Sequence, residues 1–393
     1  MKQSFRGKKI KHVAFGMAFI VTVPWITACN AEKNTQNVAA GGTEPRALTL
    51  RQAVNIERLA TFDEPWAMQW LQDGRLLVTE RRGQLQLFNP VNKAKILIQG
   101  TPEVAYGGQG GLGDVLLHPD FAQNHQIYLS YAEAGQGGYG AAIAKATLDI
   151  KESQPALKDL TVIWRQVPKV SGQGHYAHKM LFGADGKLWV SSGERQKFDP
   201  AQDLRSNLGK ILRLNEDGTP ASGNPFQGKR DAAKQIWTLG HRNPLGLAFN
   251  AKQQLWTVEM GPKGGDELNQ VLRAENYGYP IVSNGDHYDG TAIPDHSTRP
   301  EFQAPAISWT PVISPSSLIF YQGHQFPHWK DKALIGGLSS EAIIIADVER
   351  QPAQEIQRLK MNQRIRDLIE GADGSIWVLE DGKRANLLKL TAK

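Results

Sequence analysis

The chain is dominated by a short unit that recurs along its length, a polar turn followed at once by an apolar strand. Three copies contain an Asp-Gly turn, at residues 72–78, 184–190 and 372–378, and a looser copy spans 250–258. Units that repeat in this way favour radial repetition, as in a β-propeller. A β-sandwich would need fewer residues and would show no such repeat.

The number of blades follows from the length of the repetitive region. Short apolar runs alternate with Asp-Gly, Asn-Pro and Gly-Gly turns from Leu48 onward, and no long stretch keeps a helical period. This region of roughly 345 residues would hold six to eight blades of about 40 to 60 residues each. We predict an all-β, six-bladed β-propeller, with its ligand site at the mouth of the central channel.

The N-terminus predicts export and a lipid anchor. Residues 1–28 have a basic start and an apolar run that ends in Ala28-Cys29, which resembles the bacterial lipobox. We therefore expect residues 1–28 to be a lipoprotein signal peptide, Cys29 to be lipidated, 29–47 to be a flexible tether and 48–393 to be the catalytic propeller. The alternative is a signal peptide cut elsewhere, with Cys29 incidental. The expected location faces the periplasm, anchored in a bacterial membrane, the outer one by preference.

Charge argues against a nucleic-acid partner. Five cations within residues 1–28 account for all but one of the net charge of +6, and no basic cluster is interleaved with aromatic residues. We expect contact with the membrane through the lipid anchor only. Cys29 is the single cysteine, so the mature domain can form no internal disulfide.

Residues 237–280 concentrate unusual chemistry. A cationic turn, a Gly-Pro corner, two adjacent acids and an aromatic turn follow one another within this segment. Two strands with ordinary turns would explain the turn-forming residues, but not the charged ones beside them. We interpret the segment as holding a cation and one side of an active site.

Several blocks, in order along nearly the whole mature chain, resemble the soluble quinoprotein sugar dehydrogenases. That family uses pyrroloquinoline quinone (PQQ) and calcium, and the most similar branch is the aldose sugar dehydrogenases of the glucose/sorbosone dehydrogenase group. The family fold is a six-bladed propeller. The matching blocks are 108–113 with 118–121, 175–181, 209–213, 240–244, 261–267, 276–278 and 363–367.

The resemblance implies that His175 is the catalytic base and that Arg242 assists the hydride step. A histidine suits the removal of a hydroxyl proton because its pKa lies near the operating pH. An arginine can hold an oxyanion or a quinone oxygen with several donors. His178 falls where relatives have glycine, and we interpret it as a pocket-lining or structural residue.

The resemblance also implies cofactor contacts at Gln109, Asn243, Tyr288, Arg364 and Arg366. The glycines around Gln109 could suggest a phosphate loop, but no Lys-Ser/Thr follows them. Arg364 and Arg366 alternate along a predicted strand, so they share a face and could bind the carboxylates of PQQ. Alternatively, they are surface arginines balanced by acids nearby in sequence, namely Asp367 and Glu370.

One segment departs from the family pattern. Gly337, Leu338 and Ser339 match a cofactor-binding segment, but Ser339 stands where the family usually has lysine. The missing cation should weaken cofactor binding.

Two calcium sites are implied by the resemblance. The backbone carbonyls of Gly261 and Pro262 would bind the calcium that contacts the quinone. Asp266 and Glu267 add carboxylates, and Glu267 with the carbonyl of Tyr277 would bind a second calcium. A solvated acidic turn is the alternative for the two acids.

The predicted function is oxidation of the C1 hydroxyl group of an aldose sugar to the lactone. The hydride would pass to PQQ, and an external electron acceptor would reoxidise the cofactor. A calcium-dependent propeller lactonase or other hydrolase is an alternative, as is a non-catalytic sugar-binding propeller.

Overall fold

The computed structural model describes residues 46–48, 54–151, 154–229 and 231–393. The predicted signal peptide, most of the tether and Cys29 lie outside these residues. No helix in the described ranges is long and apolar enough to cross a membrane.

The described residues form strands almost throughout, with a few short helical turns. The helical segments are α1 (Phe121–Asn124), α2 (Asp231–Gln235) and the 3-10 turns Asp199–Gln202, His296–Thr298 and Pro327–Trp329. The strands are β1 (Arg46–Leu48), β2 (Val54–Phe62), β3 (Pro65–Trp70), β4 (Leu76–Glu80), β5 (Gln84–Phe88), β6 (Lys95–Ile98), β7 (Leu112–Leu117), β8 (Gln126–Gly135), β9 (Gly138–Asp149), β10 (Ala156–Arg165), β11 (Ala177–Phe182), β12 (Leu188–Ser192), β13 (Lys210–Leu214), β14 (Ile236–Leu239), β15 (Pro244–Phe249), β16 (Leu255–Glu259), β17 (Lys263–Gly264), β18 (Asp266–Gln270), β19 (Gly285–Asp286), β20 (Ile307–Trp309), β21 (Pro315–Phe320), β22 (Ala333–Gly337), β23 (Ala342–Asp347), β24 (Gln354–Lys360), β25 (Ile365–Glu370), β26 (Ile376–Glu380) and β27 (Ala385–Ala392).

Six four-stranded antiparallel blades form a ring, which confirms the predicted propeller. In chain order the blades are β3–β6, β7–β10, β11–β14, β15-β16-β18-β20, β21–β24 and β25–β27 completed by β2. The ring closes because β2, from the N-terminal side, pairs with β27, and because β25 packs against β3. Closure leaves no open edge between the first and last blades. Strand β1 adds a parallel edge to β24.

The recurring sequence units become the second strands of four blades, β4, β12, β16 and β26. Every residue of these strands is buried. Because both faces of each strand pack against neighbouring blades, the sequence there is a continuous apolar run rather than an alternating one. The hydrophobic core therefore lies between the blades.

An acid ends each of these four units at the same rim of the ring. Glu80 and Glu259 are the last residues of β4 and β16, and Glu194 and Asp381 follow β12 and β26 within two residues. Each carboxylate reaches back to the start of its own blade, where the inner strand begins. This rim is where the predicted site residues meet.

Candidate active site

His175 lies at this rim in a tight contact with a buried acid. Its Nδ1 is 2.5 Å from Oε1 of Glu194, whose side chain is fully buried. The other oxygen of Glu194 accepts the backbone N–H of Phe198 at 2.8 Å, which fixes the carboxylate. A carboxylate can only accept here, so Nδ1 carries the proton and Nε2 is left as the basic nitrogen.

The electrostatics of this pair suit a base. Burial lowers the pKa of His175, while the hydrogen bond to Glu194 opposes that effect and the nearby Arg242 adds to it. Burial works to raise the pKa of Glu194, but the bond and charge of His175, the N–H of Phe198 and the charge of Arg242 together outweigh it, so the pKa of Glu194 is lowered. The acid is therefore ionised beside a neutral imidazole that can accept a proton.

The backbone around His175 is held in an uncommon conformation. Its φ of 50° lies in the left-handed region, which side chains other than glycine rarely adopt. The side chain of Gln109 accepts the N–H of His175 at 2.7 Å. Arg195 is buried behind the loop and donates to the carbonyls of Gly172 and Gly174 at 2.6 and 2.7 Å. These contacts over-determine the loop and fix where the imidazole points.

Arg242 and Asn243 begin the next blade and carry unpaired polar atoms. The backbone of Arg242 donates to Glu259 at 2.7 Å, and its Nη1 donates to the carbonyl of Met260 at 3.0 Å. Among the described residues, Nε of Arg242 and Oδ1 of Asn243 are buried without a hydrogen-bond partner. Unpaired buried polar atoms are costly, so both point to a polar ligand.

A cavity of about 330 Å³ lies beside Asn243, while Arg242 lines a second cavity described below. Its size is within the range of small-molecule sites. Five predicted cofactor residues line it: Gln109, Asn243, Leu338, Arg364 and Arg366. Among the lining residues that the sequence did not single out are Glu64, Trp66, Arg81 and Asp381. Three arginines facing one cavity make it suitable for an anion with several carboxylates.

The two C-terminal arginines of the cavity share one counterion, Asp381. Nε of Arg364 lies 2.7 Å from Oδ2 of Asp381, and Nη2 of Arg366 lies 2.7 Å from Oδ1. The guanidinium of Arg366 also lies 4.4 Å from the ring centre of Trp66. The sequence offered Asp367 and Glu370 as alternative partners of the two arginines. In the structure their partner is Asp381, which lies further along the chain. Asp367 instead accepts the backbone N–H of Met68.

A second cavity, of about 230 Å³, opens on His175 and Arg242. Gln109 bonds to His175 and lines the first cavity, so the two cavities adjoin. Three aromatic rings flank the second one, those of Phe198, Tyr279 and Tyr288. Exposed aromatic faces beside polar groups suit a ligand with both apolar and hydroxyl surfaces.

The predicted calcium corner, Gly261-Pro262, lies at the second cavity through Pro262. In the described part of the chain, no donor bonds to the carbonyl of either residue. Asp266 shapes this corner, because it accepts the N–H groups of Gly261, Ile313 and Ser314 at 2.8, 2.8 and 2.6 Å. Burial raises the pKa of Asp266 to about 6. Free carbonyls in a braced turn fit a hard cation.

The second predicted calcium pair lies deeper in the fourth blade. Glu267 is buried, and its Oε2 accepts the amide of Asn269 at 2.9 Å. Burial raises the pKa of Glu267, and the neighbouring Glu259 adds to the shift. His296 lies between this carboxylate and the carbonyl of Tyr277: its Nδ1 is 4.0 Å from Oε1 of Glu267 and its Nε2 is 3.2 Å from the carbonyl oxygen.

Gly337, Ser339 and His178 do not line either of these two cavities. Gly337 is buried at the end of β22, and only its neighbour Leu338 lines the first cavity. Ser339 is exposed, with its hydroxyl 3.4 Å from the carbonyl of Val312. His178 is fully buried, stacks on Tyr176 and has no hydrogen-bond partner for its ring among the described residues. Burial lowers the pKa of His178 to about 3.

A family model described as glucose/sorbosone dehydrogenase matches residues 62–389, a span that runs from the last residue of β2 into β27. The chain belongs to this family. A curated relative, an aldose sugar dehydrogenase from Escherichia coli (strain K12), is 36% identical over 350 residues, covering 86% of this chain and 93% of that protein.

Solved structures of family members share the fold. The soluble aldose sugar dehydrogenase from Escherichia coli in the apo form has a TM-score of 0.81 at 35% identity, covering 86% of this chain and all of that one. The PQQ-bound form of an aldose sugar dehydrogenase from Streptomyces coelicolor has a TM-score of 0.72 at 26% identity, covering 89% and 100%. The second structure shows that a propeller similar to this one binds PQQ.

Proposed function

We propose that this chain is a PQQ- and calcium-dependent aldose sugar dehydrogenase that oxidises the C1 hydroxyl group of an aldose to the lactone. Electrons then pass to an external acceptor. The observation that carries the proposal is the juxtaposition of two cavities, one lined by three arginines and one open on the His175–Glu194 pair. Family membership and a PQQ-bound relative support the same activity.

His175 is the proposed general base. Its Nδ1 proton is held by Glu194 at 2.5 Å, so Nε2 is free to take the C1 hydroxyl proton of a sugar in the second cavity. Glu194 then stabilises the imidazolium that forms, as a buried carboxylate does for a histidine base in other enzymes. Phe198 and Tyr279 would orient the sugar ring by packing against its apolar face.

The first cavity is the proposed PQQ site. Arg364 and Arg366, pre-oriented by Asp381, would bind carboxylates, and Gln109 and Asn243 would contact the ring system. The unpaired Nε of Arg242 would face the negative charge that develops there. The ring centre of Tyr288 lies 5.8 Å from the guanidinium carbon of Arg242, so Tyr288 would cover the cofactor on the side of Arg242. PQQ, when bound, supplies the hydride acceptor, and calcium supplies the Lewis acidity that polarises it.

The carbonyls of Gly261 and Pro262 are the proposed ligands of this calcium. Pro262 lines the second cavity, both residues line a neighbouring pocket, and within the described ranges no donor bonds to either carbonyl. Asp266 holds the turn through three backbone amides. Gly337, Leu338 and Ser339 would border the cofactor, with Leu338 in direct contact with the cavity.

We also propose that the signal peptide at residues 1–28 directs export and that Cys29 is lipidated, leaving the propeller facing the periplasm on a tether of residues 29–47. The support is the sequence pattern around the single cysteine. Labelling cells with a radioactive fatty acid would show a labelled protein, and Cys29→Ala would abolish the label if the proposal holds.

Reconstitution tests the proposed activity. Apoprotein mixed with PQQ and calcium should reduce a dye acceptor when aldoses are added, and omission of either PQQ or calcium should remove the activity. A lactonase would instead hydrolyse sugar lactones without PQQ. Hydrolysis of lactones by apoprotein with calcium alone, and no dye reduction with aldoses, would contradict the proposal.

A further inference from the structure

The environment of His296 bears on the second calcium that the family resemblance implies. His296 is buried, begins a short 3-10 turn and belongs to the long loop between β19 and β20. Its Nε2 donates to the carbonyl of Tyr277 at 3.2 Å, because a carbonyl oxygen can only accept. Nδ1 lies 4.0 Å from Oε1 of Glu267 and has no hydrogen-bond partner in the described ranges.

The imidazole therefore spans the same two oxygens that would bind a calcium ion. Calcium takes oxygen ligands at about 2.3–2.6 Å, so an ion bound to both Glu267 and Tyr277 would have to lie close to both oxygens. The ring already bonds to the carbonyl oxygen through Nε2 and lies 4.0 Å from the carboxylate oxygen through Nδ1. An ion could enter only if the ring moved away, and an imidazole nitrogen is a poor ligand for so hard a cation. The residues present do not fit a second calcium.

We propose that the imidazole of His296 replaces the second calcium ion, so that the protein binds one calcium per chain, at Gly261-Pro262. The proposal rests on the proposed function only in assuming that a calcium ion binds at Gly261-Pro262. In place of the metal, His296 bonds to the turn at Tyr277 and places its Nδ1 opposite the buried carboxylate of Glu267, 4.0 Å from Oε1.

This link also fastens the loop that borders the sugar cavity. The backbone N–H of His296 donates to Oδ1 of Asn284 at 3.2 Å, and Ser283 donates to the carbonyl of Pro294 at 3.0 Å. The segment between these anchors carries His287, Tyr288 and Asp289, which line the cavity. A side chain of the loop itself thus attaches it to the turn at Tyr277, so the attachment does not depend on free calcium.

The test is the calcium content of the purified protein. Chelated protein is reloaded with millimolar calcium, desalted and analysed for bound metals per chain by mass spectrometry, first as wild type and then as His296→Ala. We expect one calcium in the wild type and two in His296→Ala, where removal of the ring opens the site. The double variant His296→Ala with Glu267→Gln should return to one. His328→Ala, which removes an exposed histidine, should stay at one.

Two calcium ions in the wild type would overturn the proposal, as would a second metal of another kind that Glu267→Gln removes. A folded His296→Ala that still binds only one would also overturn it. No calcium in the wild type with one in His296→Ala would instead contradict the proposed calcium at Gly261-Pro262 and leave the role of His296 intact. If His296→Ala does not fold, His296→Ser replaces it, and the wild-type count still decides between one ion and two.

Discussion

Nδ1 of His175 lies 2.5 Å from the buried carboxylate of Glu194. This contact keeps the proton on Nδ1, so Nε2 is the nitrogen that can accept one. The carboxylate comes from the rim end of β12, while the histidine precedes β11 of the same blade. The pairing is therefore a property of one blade. The second cavity, on which the pair opens, also needs Arg242 from the next blade, and the adjoining first cavity needs Arg366 from the last.

Glu194→Gln should lower kcat by about 100-fold or more, because a neutral amide cannot stabilise the imidazolium. Glu194 also raises the pKa of His175 against the effect of burial. Its loss should therefore lower that pKa and shift the acid limb of kcat/KM to lower pH. The pH–rate profile measures both effects.

A second His–Glu pair provides the control for this variant. Nε2 of His118 lies 2.8 Å from Glu216, whose side chain is 57% exposed. Glu216→Gln should leave the profile unchanged. An unaltered profile in Glu194→Gln would show that the acid does not act through His175.

Arg366→Lys should weaken PQQ binding about tenfold or more, and Arg364→Lys should have a smaller effect. Nε and Nη2 of Arg366 are held by Asp381, and the group lies over Trp66, so only an arginine can keep these contacts and still offer a donor. The side chain of Arg364 is 49% exposed, so water can replace more of its hydrogen bonds. Titration of apoprotein with PQQ, followed by tryptophan fluorescence, measures both. Equal losses of PQQ affinity in the two variants would show that the contacts of Arg366 with Asp381 and Trp66 give it no special role in binding.

Ser339→Lys should tighten PQQ binding, by about tenfold for one added charge-assisted contact. Ser339 is exposed next to Leu338, which lines the cavity, so a lysine there could reach the anionic ligand. Gln322→Lys adds the same charge at the far end of β21 and should change the affinity little. If both variants bind alike, the gain is a general effect of net charge.

Asp266→Ala should lower the free energy of unfolding by about 3 kcal/mol, since three buried backbone amides would lose their acceptor. Calcium affinity should fall as well, because the turn at Gly261 loses its brace. Denaturant unfolding of the apoprotein measures the first effect and calcium titration the second. Glu301→Ala, which removes an exposed acid paired only with Arg299, should stay within about 0.5 kcal/mol of wild type. Unchanged stability in Asp266→Ala would refute the bracing role.

The blades could be predicted from the sequence because their signal is local. Each repeat contains its own turn and strand within about ten residues, so the pattern can be recognised without knowing how the blades are arranged. The same repeats also contain a signal for the site. An acid follows each of them, at Glu80, Glu194, Glu259 and Asp381. Extending the unit by four residues would have revealed Glu194 and Asp381 as partners of His175 and the two arginines.

His296 could not be found in that way. It lies in an irregular loop, 19 residues from Tyr277 and outside every repeat, and its contact depends on how the loop folds back. The contributions of Trp66 and Arg81 to the cavity likewise arise only when the first blade meets the last. Residues that meet only when the ring closes are far apart in the chain, so no sequence spacing marks them as neighbours.

The central claim is that His175 removes the sugar proton in a PQQ-loaded site. The most direct measurement is the absorbance change of PQQ-loaded protein on addition of an aldose without an external acceptor, compared between wild type and His175→Ala. We predict that both bind PQQ with similar affinity and that only the wild type shows reduction of the bound PQQ. Reduction in His175→Ala at the wild-type rate would contradict the account.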